Sequence, residues 1–104
     1  HPLTPGISYR HGGDEFVLRC QNMSQSHVRE IIQVILRRFS LPWVTQDGEA
    51  SCSASLGVAH FPSDSNNAEE LLHMADTAMY HSKRLGKGLC CKYNKGDIIP
   101  CDSD

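Results

Sequence analysis

A glycine pair followed by two acids, Gly12-Gly13-Asp14-Glu15, sits between two short apolar-rich runs and limits what this chain can become. Residues 7–10 alternate apolar and polar side chains, the period of a half-buried strand. Residues 16–20 read FVLRC, a second short strand. Glycine reaches the positive φ that a tight reversal needs at little steric cost. Strand, Gly-Gly-Asp turn and strand together predict a β-hairpin. Residues 1–6 hold two prolines and a glycine and read as coil.

After a polar loop over residues 21–26, ending in a Ser26 cap, the period changes. Val28, Ile31, Ile32, Ile35, Leu36 and Phe39 recur at spacings of three and four, the apolar face of a helix running to about Ser40. Arg29, Glu30, Gln33 and Arg37 fall off that face, and Pro42 closes the region. Residues 46–49 (QDGE) read as a turn. Residues 51–60 (SCSASLGVAH) form a strand candidate, in which Gly57 marks a close backbone approach or a bulge. A loop over 61–66 leads to Asn67, an N-cap with Glu70 at the third helical position. Leu71, Leu72, Ala75, Ala78, Met79 and Ser82 share one face of the helix that follows, and Gly86 ends it. Residues 89–93 make a last strand, and the polar residues after Asn94 read as a loosely ordered tail.

The predicted order is β-β-α-β-α-β, an α/β or α+β sandwich with helices on a sheet of three or four strands. The predicted division is coil at 1–6, one domain at 7–94 and a tail at 95–104. At 104 residues the chain holds a single domain, and 39% hydrophobic with 21% charged residues is a globular balance. A formal net charge of −2 removes the basic field expected of a nucleic-acid binder. No apolar run approaches the ~18 residues of a membrane span, so no direct membrane contact is expected. No charged segment followed by an apolar one opens the sequence, which predicts no secretory signal in these residues. The five cysteines, Cys20, Cys52, Cys90, Cys91 and Cys101, are odd in number and contain no C-x-x-C, so the expectation is reduced thiols in a cytosol. The adjacent Cys90 and Cys91 read as small strand residues facing opposite sides rather than a metal site.

The signature turn also carries chemistry. Glycines remove side chains where a ligand must approach the backbone, and their N–H groups can form an anion nest. Acids beside a phosphate repel it unless a cation lies between. Gly12-Gly13-Asp14-Glu15 therefore suggests a Mg²⁺-nucleotide site, against the simpler reading of a polar hairpin turn. Lys83 and Lys87, four apart across the end of the second helix, suit either the helix dipole or a polyphosphate. His11, His60, His73 and His81 lack a ligand spacing and read as surface or packing residues. Trp43 reads as a core seal rather than a base-stacking residue. Arg10 reads as a residue orienting the hairpin, and Asp76 as a structural hydrogen-bond partner.

Residues 9–18, Tyr-Arg-His-Gly-Gly-Asp-Glu-Phe-Val-Leu, resemble the signature hairpin of the GGDEF domains, the diguanylate cyclases. Residues 53–59 (SASLGVA) resemble that family's next strand. Residues 75–83 (ADTAMYHSK) resemble its AD-x-A-hydrophobic-Y-x-A-K helix, with Ser82 in place of alanine. Gly86-Lys87-Gly88 stands where the family usually has Gly-Arg-Asn. Three motifs in order carry the resemblance across about residues 7–94.

The resemblance implies a partial palm-like nucleotidyl-cyclase fold. It implies Asp14 as a Mg²⁺ ligand, Gly12 and Gly13 against GTP, Glu15 as a further residue needed for activity, and Lys83 and Lys87 on the triphosphate. The implied reaction joins two GTP into cyclic di-GMP with release of two pyrophosphates. Each 3′-hydroxyl attacks the α-phosphorus of the other GTP across two facing domains, so a homodimer or pairing with another GGDEF or neighbouring domain is implied. Positioning and metal charge would supply most of the rate.

The departures shape the expectation further. The family's first strand, first helices, second metal-binding aspartate and guanine contacts have no equivalent before Ile7. One signature carboxylate cannot close a two-metal geometry, so these residues alone are expected not to turn over GTP. Leu3 and Gly6 occupy the positions of the family's Arg-x-x-Asp product site, so feedback there is expected to be absent. The family places its first strand between the hairpin and the strand around Leu56. Without it two inner edges stay unpaired, which invites oligomerisation, strand exchange or a rearranged sheet. The alternative function is a degenerate module that binds GTP or partner domains and regulates a neighbour in cyclic di-GMP signalling. The expected location is cytoplasmic, with any membrane tether on another segment.

Overall fold

The computed structural model describes residues 7–12, 15–20, 23–51, 53–86, 88–94 and 96–101, with backbone alone for 7–12 and 15–20. The chain divides into two compact units, His1–Ile31 and Ile32–Asp104.

In the first unit, β1 (Ile7–Gly12) pairs antiparallel with β2 (Glu15–Cys20). The register runs from Ile7↔Cys20 to Gly12↔Glu15. The predicted hairpin is present, and Gly12 belongs to its ladder rather than to its turn. Helix α1 (Gln25–Phe39) starts in this unit. Its cap is Ser24, not Ser26: the Ser24 hydroxyl accepts from His27 N at 3.1 Å, and the Ser24 carbonyl accepts from Val28 N at 3.0 Å. The first helical bond thus forms two residues earlier than predicted. Along α1 the six predicted apolar residues are buried or half-buried, whereas Arg29, Glu30, Gln33 and Arg37 are exposed.

The second unit begins on the same helix. Ser40 N closes α1 onto Leu36 O at 3.0 Å, and the Ser40 hydroxyl donates to Arg37 O at 2.7 Å. A hairpin that the sequence reading lacked comes next, β3 (Trp43–Thr45) with β4 (Gly48–Ala50). The predicted turn at 46–49 is its connection. Gly48 sits at φ 119°, and the Thr45 hydroxyl donates to Gly48 O at 2.8 Å while accepting from Asp47 N at 3.2 Å. Trp43 lies edge-on to Phe39, ring centroids 5.7 Å apart, with the Arg38 guanidinium 3.3 Å from its ring centroid. From the start of β3 it therefore packs locally on the end of α1.

The third sheet has the order β5-β6-β7, from β5 (Leu56–Val58), β6 (Cys90–Asn94) and β7 (Asp97–Pro100). β5 runs parallel to β6 and β7 antiparallel to it. Helix α2 (Ala68–Leu85) crosses between β5 and β6 in sequence and packs on both. Its caps are as predicted: Asn67 Oδ1 accepts from Glu70 N at 2.9 Å, and Gly86, at φ 140°, donates its N–H to Ser82 O. The core between helix and sheet is built from small side chains, Ala78 and Ser82 of α2 against Cys90 and Cys91 of β6. Gly57 explains the choice. A Cβ there would run into Ala75 O and Met79 N and lie 2.9 Å from Met79 Cα. The predicted close backbone approach is the contact of β5 with α2.

The predicted order β-β-α-β-α-β is present, with β3, β4 and β7 added. Three further expectations are corrected. Residues 97–100 are strand β7, not loose tail, because β6 pairs with them from Cys91↔Pro100 to Asn94↔Asp97. The expectation of reduced thiols fails at one pair, Cys90 and Cys101, which are joined by a disulfide across the end of that ladder. The strand candidate at 51–60 shortens to three residues, Leu56–Val58.

Candidate functional site

The hairpin register decides how the signature is presented. Its last ladder pair is Gly12↔Glu15. Only two residues, Gly13 and Asp14, remain to connect the strands, and both lie outside the described residues. The backbone thus brings the first glycine and the second acid of the signature directly opposite one another.

The second predicted group belongs to the other unit. Lys83 is exposed in the last turn of α2, beside Arg84. Lys87 follows the C-cap Gly86 and lies outside the described residues. The signature residues belong to the first unit and the lysines to the second.

The helix is anchored at the residue before Lys83. Ser82 is fully buried, and its hydroxyl donates to Leu56 O on β5 at 2.8 Å, with Ala78 O at 3.3 Å. A buried hydroxyl with a hydrogen-bond partner is spared the cost of an unsatisfied polar group. The bond ties the last turns of α2 to the strand below it. The motif position where Ser82 replaces alanine was visible in the sequence, but its cross-element partner was not.

Other polar groupings are local. His60 N donates to Asp64 Oδ2 at 2.7 Å, and Asp64 N donates to His60 O at 2.8 Å, which closes the loop after β5. His60 Nδ1 lies 3.6 Å from the same carboxylate oxygen. Trp43 Nε1 is buried with no hydrogen-bond partner among the described residues. The described residues contain no group of three or more His, Cys, Asp or Glu able to hold a metal ion. None of the described helices is long and apolar enough to cross a membrane.

Comparison with known proteins gives the site its context. The sequence pattern of the family described as "Diguanylate cyclase, GGDEF domain" matches residues 5–88. The bifunctional diguanylate cyclase/cyclic di-GMP phosphodiesterase MucR of Pseudomonas aeruginosa is 37% identical over 82 residues, 79% of this chain and 12% of MucR. The cyclic di-GMP phosphodiesterase PdeR of Escherichia coli is 37% identical over 84 residues, 81% of this chain and 13% of PdeR. Diguanylate cyclase TpbB of Pseudomonas aeruginosa is 37% identical over 81 residues, 76% of this chain and 19% of TpbB. The chain thus spans between about an eighth and a fifth of the length of these relatives.

Proposed function

The chain belongs to the diguanylate cyclase GGDEF-domain family, a palm-like nucleotidyl-cyclase fold, and from that premise we propose that it carries the signature half of a GTP site in cyclic di-GMP signalling. The observation that carries the proposal is the hairpin ladder ending at Gly12↔Glu15, with the signature at its tip and inside the matched residues.

In this reading Gly12 and Gly13 let the triphosphate approach the strand end, where a side chain would keep it away. Asp14 is the Mg²⁺ ligand, and Glu15 is the second acid needed for activity. Carboxylate oxygens are the hard donors that Mg²⁺ prefers, so the donor chemistry of the hairpin tip fits that ion. When bound, Mg²⁺ would neutralise phosphate charge and so permit the acids to lie beside the nucleotide. Lys83 and Lys87 act as point charges on the phosphates. The binding partner is GTP, and turnover requires a facing domain, from a second copy or a neighbouring GGDEF domain. These 104 residues by themselves do not turn over GTP, because one metal-binding carboxylate cannot close a two-metal geometry. The setting is cytoplasmic, where GTP is available.

A second reading has its own support. PdeR, a relative over 81% of this chain, is named as a phosphodiesterase, and MucR as bifunctional. A domain in such company can bind nucleotide and regulate its neighbour without making cyclic di-GMP. Calorimetric titration with GTP, with and without Mg²⁺, tests the shared element of both readings. Magnesium-dependent binding lost in Asp14→Ala supports the site. Absence of binding under both conditions makes the signature a structural remnant. Cyclic di-GMP formation by this chain alone would contradict the proposed lack of turnover.

A further inference from the structure

We propose that Cys90 and Cys101 form a reversible thiol–disulfide latch that fastens β7 to β6. The ladder of these strands pairs Cys91 with Pro100, so one step further Cys90 faces Cys101. Their Cα atoms are 5.3 Å apart, inside the range a disulfide spans without backbone movement. Cys101 N donates to Cys90 O at 2.8 Å, so the backbone holds the pair in register independently of the sulfurs.

The strand it fastens needs the help. β7 is four residues long, lies at the sheet edge, and ends in Pro100, which offers no N–H to the ladder. A short edge strand with a proline is weakly retained by hydrogen bonds alone. Cys91, the next residue on β6, projects to the opposite face and is 1% exposed, so it does not compete for Cys101. Both latch cysteines lie beyond residues 5–88, so the family's chemistry does not require them.

The exchange needs a low-molecular-weight disulfide such as glutathione disulfide. The Cys101 thiolate, the more exposed of the two, attacks one of its sulfurs and releases one glutathione thiolate. The Cys90 thiolate then attacks the Cys101 sulfur of the mixed disulfide and releases the second. Two protein thiols lose two electrons and two protons, and glutathione disulfide is reduced to two thiols. Excess reduced thiol runs the same steps backwards. In a reducing compartment such a bond acts as a redox sensor rather than a permanent staple.

The test equilibrates the full chain across ratios of reduced to oxidised glutathione, quenches with acid, alkylates and maps peptides by mass. The expected result is a Cys90–Cys101 linkage that forms and opens reversibly. Reduction should lower the melting temperature by about 5 °C or more and speed proteolysis within residues 97–101. The same reduction should leave the melting temperature of Cys101→Ser unchanged. Full alkylation of both cysteines at every ratio overturns the latch. So does pairing of either with another cysteine, or a bond that excess reduced thiol fails to open. Peptide mapping of the unmutated chain decides the matter even if the variant folds poorly.

Discussion

Glycine is placed differently in the two units. In the hairpin, Gly12 stands at the end of a two-stranded ladder, opposite Glu15, and in the proposed function it is where the nucleotide comes close. In the second unit, Gly57 stands under α2, where a missing side chain lets Ala75 and Met79 come down onto β5. The proposal gives the first glycine a role in binding, whereas the second has a packing role in the fold itself. Substitutions at the signature should therefore be felt in binding, and substitutions under the helix in stability.

The largest effect should come from Gly57. Gly57→Ala places a Cβ against helix backbone, which cannot give way as a side-chain tip can. We expect a loss of about 3 kcal/mol in urea unfolding, and Gly57→Val should fail to fold. A small loss would break the comparison by showing that β5 and α2 can separate cheaply.

Next is the latch. Cys90 and Cys101 are 11 residues apart in sequence, so the bond closes a short loop. Cys101→Ser should lower stability by about 2 kcal/mol under oxidising conditions, measured by denaturant midpoint. An equal loss in reducing buffer would mean that packing of Cys101, not the bond, is responsible.

Smaller still are the local devices. Asn67→Ala removes the acceptor for Glu70 N and should cost about 1 kcal/mol. Arg38→Ala removes the cation over Trp43 and should cost about 0.5–1 kcal/mol, with a change in Trp43 fluorescence. Together these two sharpen the contrast, because neither should alter GTP affinity.

The parts legible in the sequence were those written in short-range patterns. Both helices showed their faces through spacings of three and four, and Asn67 and Gly86 marked the ends of α2. The Gly-Gly-Asp turn announced the hairpin, and Gly57 announced a close approach. What escaped was decided by distant pairing or by exposed strands. β3 and β4 are three residues each, and five of their six residues are exposed, so no burial alternation reveals them. β7 looks like a polar tail until β6 lies beside it. Cys90 and Cys101 follow no motif; their meeting is a consequence of that ladder. Ser82 was visible as an exception to the motif, while Leu56 O, its partner, was 26 residues away. Of the candidate site, Gly12, Glu15 and Lys83 have described positions, whereas Gly13, Asp14 and Lys87 lie outside the described residues.

The division between an approached and a packed glycine is tested most directly by measuring two variants in parallel, Asp14→Ala and Gly57→Ala. Each is melted and each is titrated with GTP and Mg²⁺ beside the unmutated chain. Asp14→Ala should lose magnesium-dependent GTP binding and keep its melting temperature, while Gly57→Ala should melt far lower. Equal melting losses in the two variants, or unaltered GTP binding in Asp14→Ala, would contradict the account.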